Sequence, residues 1–310
     1  LSHKPGLDSA IHNLGLAQLM TKDWKNGWSN YYKTLGVKHR KQIDYGVPEW
    51  EGQKGRVVVY GEQGVGDEIL YASCIHDLMK TNDVLIETDS RLESLFRRSF
   101  NCTVYGTRFN RKDESILDES FDYSIAIGQL PYFFRRNGEF PGTPYLDVDK
   151  GRRLQWSALF DTLPGRKIGI AWNGGIKSTG MARRSLCVDD FEPIFNREDT
   201  FISLDYKDTD ERLLCYREVM KGRDIDEMAP LVSELDFIVS CTTTVVHLAG
   251  ALGIPCYTLV PKNPPWVFCD KGGYDWSDSV VLVRQEEGDS WMDVVSKVEK
   301  MTRTDNVRTA

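Results

Sequence analysis

Val57-Val58-Val59-Tyr60-Gly61-Glu62-Gln63-Gly64-Val65-Gly66-Asp67-Glu68 reads as a buried strand, a glycine-rich turn and the start of a helix over residues 67–79. Glycines such as Gly64 and Gly66 let the main chain approach a ligand closely. The helix start offers unpaired N–H groups to an anion. The spacing G-x-x-G-x-G differs from the dinucleotide fingerprint G-x-G-x-x-G, and no G-K-[ST] follows as in a P-loop. The same residues also serve a plain strand-to-helix turn, with Asp67 stabilising the positive end of the helix.

Working outward, short apolar runs alternate with helical stretches. Strands are predicted at residues 57–60, 84–87, 102–105 and 123–127, and in a second series at 167–171, 200–204, 237–240, 256–260 and 280–283. Nearly continuous β-rich runs of this length suit parallel strands covered on both faces. Their alternation with helices predicts βαβ units with right-handed crossovers. Between the two series, Pro131, Pro141, Pro144 and Pro164 mark a linker zone over 129–165. The expectation is an α/β chain of two doubly wound, Rossmann-like domains, 53–150 and 151–310, facing a cleft.

The first fifty residues carry a different pattern. Ala10, Ile11, Leu14 and Ala17, then Trp24, Trp28, Tyr31, Tyr32 and Leu35, recur at helical spacing. A helical segment over 1–52 is expected, with a turn at Thr21-Lys22-Asp23. A pair of this length resembles one tetratricopeptide repeat, which cannot bury its own face and must pack on a neighbour. It is a candidate surface for a protein partner, although a helical hairpin covering the α/β domain that follows is the plainer reading.

Composition bounds the rest. The 310 residues suffice for two domains at about 100–200 residues each. A formal net charge of -7 and the absence of a basic stripe exclude a nucleic-acid-binding surface. Arg97-Arg98, Arg135-Arg136 and Arg152-Arg153 read as solvated faces. Seven cysteines, irregularly spaced and without C-x-x-C, suit reduced thiols and a cytoplasmic protein. No apolar run approaches the roughly 18 residues of a membrane span, so no integral membrane segment is expected. Leu1-Ser2-His3-Lys4-Pro5 does not read as a secretory signal, and the missing start methionine suggests a fragment or an engineered chain.

Two further segments carry chemistry. Lys167-Ile168-Gly169-Ile170-Ala171-Trp172-Asn173-Gly174-Gly175 enters a glycine-rich loop, with Lys177 within it, that ends at Arg183-Arg184-Ser185-Leu186. The carboxyl edge of an open α/β sheet binds ligands, and an arginine fork grips phosphate. Downstream, Phe237-Ile238-Val239-Ser240-Cys241 runs into Thr242, Thr243 and Thr244, then a helix with His247 one turn in. Threonine hydroxyls and helix N–H groups make a seat for a pyrophosphate. Simple N-capping by the threonines and a structural role for His247 are the plainer alternatives.

Together, Gly61-Glu62-Gln63-Gly64-Val65-Gly66-Asp67-Glu68, Arg184-Ser185-Leu186 and His247-Leu248-Ala249-Gly250-Ala251-Leu252-Gly253 resemble the heptosyltransferase-like glycosyltransferases of family 9. Asn13-Leu14-Gly15-Leu16-Ala17, Asp23-Trp24, Gly27-Trp28, Tyr31 and Pro48-Glu49-Trp50-Glu51-Gly52 resemble the last repeat and junction of the subgroup whose transferase domain follows tetratricopeptide repeats. The resemblance implies a GT-B fold and an inverting, metal-independent transfer without a cofactor. A nucleotide-diphosphate sugar is the implied donor, held mainly by the C-terminal domain. A saccharide or other hydroxyl acceptor would approach from the N-terminal domain. By the same resemblance, Asp67 is the candidate base, with Glu68 its neighbour and rival. The implied nucleotide-sugar residues are Gly64, Gly66, Trp172, Asn173, Gly174, Lys177, Arg184, Ser185, Thr242, Thr243, Thr244 and His247.

The chain departs from its relatives at two positions. Thr242 stands where related sequences usually carry an aspartate, and Glu68 where a small or hydroxylated residue is commoner. The competing activities are a sugar-nucleotide epimerase or hydrolase of the same fold, and a non-catalytic nucleotide-sugar-binding or protein-interaction module. The glycine spacing argues against a Rossmann dehydrogenase. Asp147-Val148-Asp149 spells the metal-binding D-x-D of the other large glycosyltransferase fold but falls in the predicted linker, where it reads as a solvated turn.

Overall fold

The structure, a computed structural model, describes residues 5–37, 40–108, 115–175, 180–195, 198–207, 209–222, 224–269 and 272–304. Lys177 lies outside them. All nine predicted strands are present, with no end displaced by more than one residue: β1 Arg56–Tyr60, β2 Asp83–Glu87, β3 Thr103–Tyr105, β4 Tyr123–Ala126, β5 Lys167–Ala171, β6 Thr200–Ser203, β7 Phe237–Cys241, β8 Cys256–Val260 and β9 Val280–Arg284. The chain divides into two units, Leu1–Pro141 with Tyr145–Asp147 and Cys269–Lys271, and Gly142–Pro144 with Val148–Phe268 and Gly272–Ala310.

In the first unit the strands run parallel in the order β3-β2-β1-β4. β1 is central because it is apolar throughout: Val57, Val58 and Val59 are wholly buried and Tyr60 nearly so. Each fully buried branched side chain of this kind stabilises by about 1.5–3 kcal/mol. Val58 packs with Leu85 and Ile116 under Tyr45, Tyr105 and Phe121. The N-terminal helices are Pro5–Met20 and Trp24–Lys33, broken at Thr21-Lys22-Asp23 as the pattern predicts. Asp23 caps the second, its carboxylate accepting from Asn26 N–H. Trp28 and Tyr31 are buried. The helical pattern overreaches at its far end, because Thr34 closes the helix and Leu35 lies beyond it.

In the second unit β6-β5-β7-β8-β9 are all parallel. One sheet face, with Ile168, Ile170, Phe237, Val239 and Leu259, packs against Phe191, Ile194 and the apolar side of the helix Trp291–Thr304 through Val294, Val295 and Val298. The supposed linker zone contains two helices, Leu130–Phe134 and Lys150–Phe160. The first admits Pro131 in its opening turn, where no N–H is needed. Among the described residues no helix is long and apolar enough to cross a membrane.

Candidate functional site

Each sheet has one place where the strand order reverses, and at such a switch point the loops leaving neighbouring strands diverge and leave room for a ligand. In the first unit it lies between β1 and β4. The glycine-rich turn leaves β1 there. The helix begins two residues earlier than the sequence suggests, as Val65–Ala72, and a second helix, Ile75–Met79, follows. Gly64 is therefore the N-cap, and Asp67, the third helical residue, folds back so that Oδ2 accepts the Gly64 N–H at 3.1 Å. A carboxylate in the first turn suits the helix dipole.

The turn carries three carboxylates, and two are ion-paired. Glu68 is fully buried. It meets Arg108 Nε at 2.7 Å, and its Oε2 accepts from Thr88 Oγ1 at 2.5 Å and Asp89 N–H at 3.1 Å. Glu62 meets Arg40 Nε at 3.4 Å, both side chains being buried. Its carboxylate also accepts from Gly128 N–H, across the switch point, at 3.2 Å. Asp67 has no ion pair among the described residues. Burial raises its carboxyl to about 6, against the pull of the Gly64 N–H, and the nearby Glu62 charge adds to the rise. Burial also raises Glu68, to about 7, although Arg108 opposes the shift. Gly61 makes this packing feasible: a Cβ there would lie 2.4 Å from the carboxyl carbon of Glu68.

In the second unit the order reverses between β5 and β7. Trp172, Asn173 and Gly174 leave β5, while Thr242, Thr243 and Thr244 leave β7. The β5 loop closes on itself: Trp172 O accepts from Leu186 N–H at 2.9 Å, and Gly174 N–H donates to Ser185 Oγ at 3.0 Å. Asn173 N–H donates to the buried Asp205 carboxylate at 2.9 Å. A Cβ on Gly174 would lie 2.9 Å from that of Arg184, so glycine lets the two arms touch. Arg184 Nη1 then bridges to Thr242 O at 3.2 Å. The Trp172 indole itself belongs to the hydrophobic core.

Thr243 is the N-cap of the helix Thr244–Leu252, its Oγ1 accepting from Val245 N–H at 3.2 Å. Thr242 is buried, and among the described residues its Oγ1 has no partner. His247 Nδ1 lies 2.7 Å from the Tyr274 hydroxyl, and the ring stacks on Phe268. Burial lowers His247 to about 4, with the Arg184 charge adding to the effect, so the imidazole is neutral at pH 7. The positive end of a helix and a guanidinium thus converge on one sheet edge, an arrangement suited to a phosphate group.

The structure gathers Gly64, Gly66, Asp67 and Glu68 in the first unit. It gathers Trp172, Asn173, Gly174, Arg184, Ser185, Thr242, Thr243, Thr244 and His247 in the second. Sequence reasoning missed Arg40, Arg108, Asp205 and Tyr274. The two arginines had a signal, since a turn with three acids beside a buried strand needs nearby cations.

No family model matches the chain. Protein FlbA of Caulobacter vibrioides is 26% identical over 305 residues, a match covering 88% of this chain and 51% of that protein. The chain thus spans about half the length of this curated relative. Among solved structures, ADP-heptose lps heptosyltransferase II of E. coli superposes with a TM-score of 0.55 at 14% identity, covering 82% of this chain and 100% of that one. The family 9 glycosyl transferase of Veillonella parvula gives 0.53 at 10% identity, over 83% and 92%. E. coli heptosyltransferase WaaC with ADP gives 0.53 at 12% identity, over 81% and 99%. The two parallel α/β units therefore have the fold of the GT-B heptosyltransferases, with helices at the N-terminus.

Proposed function

We propose that the chain is an inverting, metal-independent glycosyltransferase, taking a sugar from a nucleotide-diphosphate donor to an acceptor hydroxyl. The carrying observation is the convergence of the β5 and β7 loops, locked by Arg184 on Thr242 O beside the start of the helix Thr244–Leu252. The C-terminal unit holds the donor diphosphate there. Gly174, Ser185 and Thr243 hold the loops in place, and neutral His247 adds no charge. The fold shared with the solved heptosyltransferases supports this reading.

In the first unit, Asp67 is the general base. It takes the proton of the acceptor hydroxyl as that oxygen forms its bond to the anomeric carbon. The bond from that carbon to the phosphate oxygen breaks, and the nucleoside diphosphate leaves with the electron pair. A carboxylate whose pKa lies near the working pH is suited to this step. Glu62 and Glu68 are already engaged by arginines. We further read the helices Pro5–Met20 and Trp24–Lys33 as the last repeat of a tetratricopeptide array that receives a protein partner. Buried thiols at Cys74, Cys241 and Cys256, with no disulfide among the described residues, favour the cytoplasm.

Nucleotide-sugar turnover, measured with and without saccharide or protein acceptors, tests the proposal. Nucleoside diphosphate release that depends on an acceptor is expected. Release or epimerisation without one would assign the chain to the other enzyme class, and donor binding without turnover to a binding module.

A further inference from the structure

The residue before the Gly64 cap is held from several sides. The Gln63 side chain accepts the Tyr31 hydroxyl proton at 3.0 Å, and its amide donates to Glu62 at 2.9 Å. The Gln63 carbonyl oxygen accepts from Arg108 Nη1. That carbonyl and the Gly64 N–H belong to one planar trans peptide group, so they point opposite ways. Arg108 therefore grips one side of the group, while on the other side Asp67 Oδ2 accepts the Gly64 N–H at 3.1 Å. Glycine at this position makes the grip necessary. Gly64 has a φ of -82°. Turning the peptide over would carry φ to positive values, which glycine adopts about as readily. The residue itself does not keep its N–H aimed at Asp67.

The Arg108 fork is fixed in turn. The residue lies just past β3, where its own N–H donates to Thr88 O at 3.3 Å and the preceding Thr107 hydroxyl donates to Glu87 at 2.9 Å. Its Nε lies 2.7 Å from Glu68 Oε1, and its Nη2 donates to Asp89 Oδ2 at 3.2 Å. All three side chains are buried. Buried ion pairs add little stability by themselves, because desolvation offsets much of the attraction. Here two nitrogens of the guanidinium are anchored by carboxylates, and the third reaches the carbonyl that backs the Asp67 hydrogen bond. We propose that Arg108 is a positioning residue for Asp67: by holding the Gln63 carbonyl, it fixes the peptide whose N–H orients the carboxylate. The proposal rests on the reading of Asp67 as the base. Misplacing a reacting group by about 1 Å can cost roughly 100-fold in rate.

The test asks whether Arg108 acts through Asp67. Arg108→Met is made together with Glu68→Gln, so that both members of the ion pair go and no carboxylate is left orphaned. Asp89 keeps its pairing with Arg91 at 2.8 Å. Glu68→Gln alone is the reference, and Asp67→Asn is added to each. Without Asp67→Asn, Arg108→Met should lower kcat roughly ten- to hundredfold relative to the reference. With Asp67→Asn present it should lower kcat little further, because a residue that acts by aiming the base has no effect once the base is gone. A role confined to folding would cost the same in both backgrounds. If the paired variant does not fold, Arg108→Lys carries the same comparison, since lysine keeps the charge but lacks the fork that reaches both carboxylates and the carbonyl. Unchanged kcat, or an equal fall with and without Asp67→Asn, overturns the inference and leaves the base in place. Near-normal turnover in Asp67→Asn overturns the base assignment, and this proposal with it.

Discussion

Arg184 Nη1 donates to the main-chain oxygen of Thr242 at 3.2 Å, joining the loop that leaves β5 to the loop that leaves β7. One guanidinium thus spans the switch point of its sheet, next to the helix start that Thr243 caps. Arg184→Ala should weaken binding of a nucleoside diphosphate by about 1.5–3 kcal/mol, the scale of a hydrogen bond to a charged group, or roughly ten- to hundredfold in Kd. Calorimetry on the purified chain checks this. Unchanged affinity would remove Arg184 from the donor site.

Asp67→Asn should fold and bind the nucleotide normally, because an amide oxygen can still accept the Gly64 N–H that Asp67 holds. Its turnover should fall by about 100-fold or more, the scale of general-base catalysis. Wild-type kcat/KM should drop as pH falls through about 6, where the Asp67 carboxyl takes up its proton. In Glu68→Gln that limb should remain. If Glu68→Gln loses turnover while Asp67→Asn keeps it, the base is Glu68.

The same carboxyl makes stability depend on pH. In the unfolded chain it ionises near 3.8, in the fold only near about 6. Between those values the native state holds more protons, so this group's contribution to stability declines as pH rises through the window and stays lower above it. Glu68 acts in the same direction up to about 7. His247 opposes both: it ionises near 6.5 unfolded and about 4 folded, so its contribution grows as pH rises between those values. Relative to wild type, Asp67→Asn should therefore gain stability from pH 4 to pH 7. Urea midpoints at a series of pH values measure the difference, and a constant offset would refute the assignment.

Activity should survive EDTA and be unaffected by added magnesium or manganese. The D-x-D triplet at 147–149 is already used structurally. Asp149 caps the helix Lys150–Phe160 by accepting Arg152 N–H at 2.8 Å. The main chain of Asp147 is held by Ser99 and Arg98. Activity abolished by EDTA and restored by a divalent ion would overturn this reading of the donor site.

Strand positions were legible because runs such as Val57-Val58-Val59 are buried on both faces, and no other element tolerates such continuous β-branched sequence as well. The helix start was misplaced because an acid in the first turn, Asp67, looks like a cap, whereas glycine caps with its backbone alone. The strand order was not legible, since periodicity records which residues are buried and not which strand lies alongside. For the same reason the pairings of Glu62 with Arg40 and Glu68 with Arg108 were invisible: each joins residues far apart in the chain. The threonine run and the Arg184-Ser185 pair were conspicuous in the sequence, but their meeting depends on β5 lying beside β7.

Gly61 and Glu68 constrain each other's history. With a methyl group at position 61 aimed at a carboxyl group already held by Arg108, Thr88 and Asp89, alanine is incompatible with the turn while glutamate occupies position 68. Shortening position 68 first opens the space. Gly61→Ala should therefore cost less in a Glu68→Ser background than in the wild type, and only one order of substitution leads from one turn to the other through folded intermediates. Among homologous chains, a side chain at position 61 should accompany a small residue at position 68.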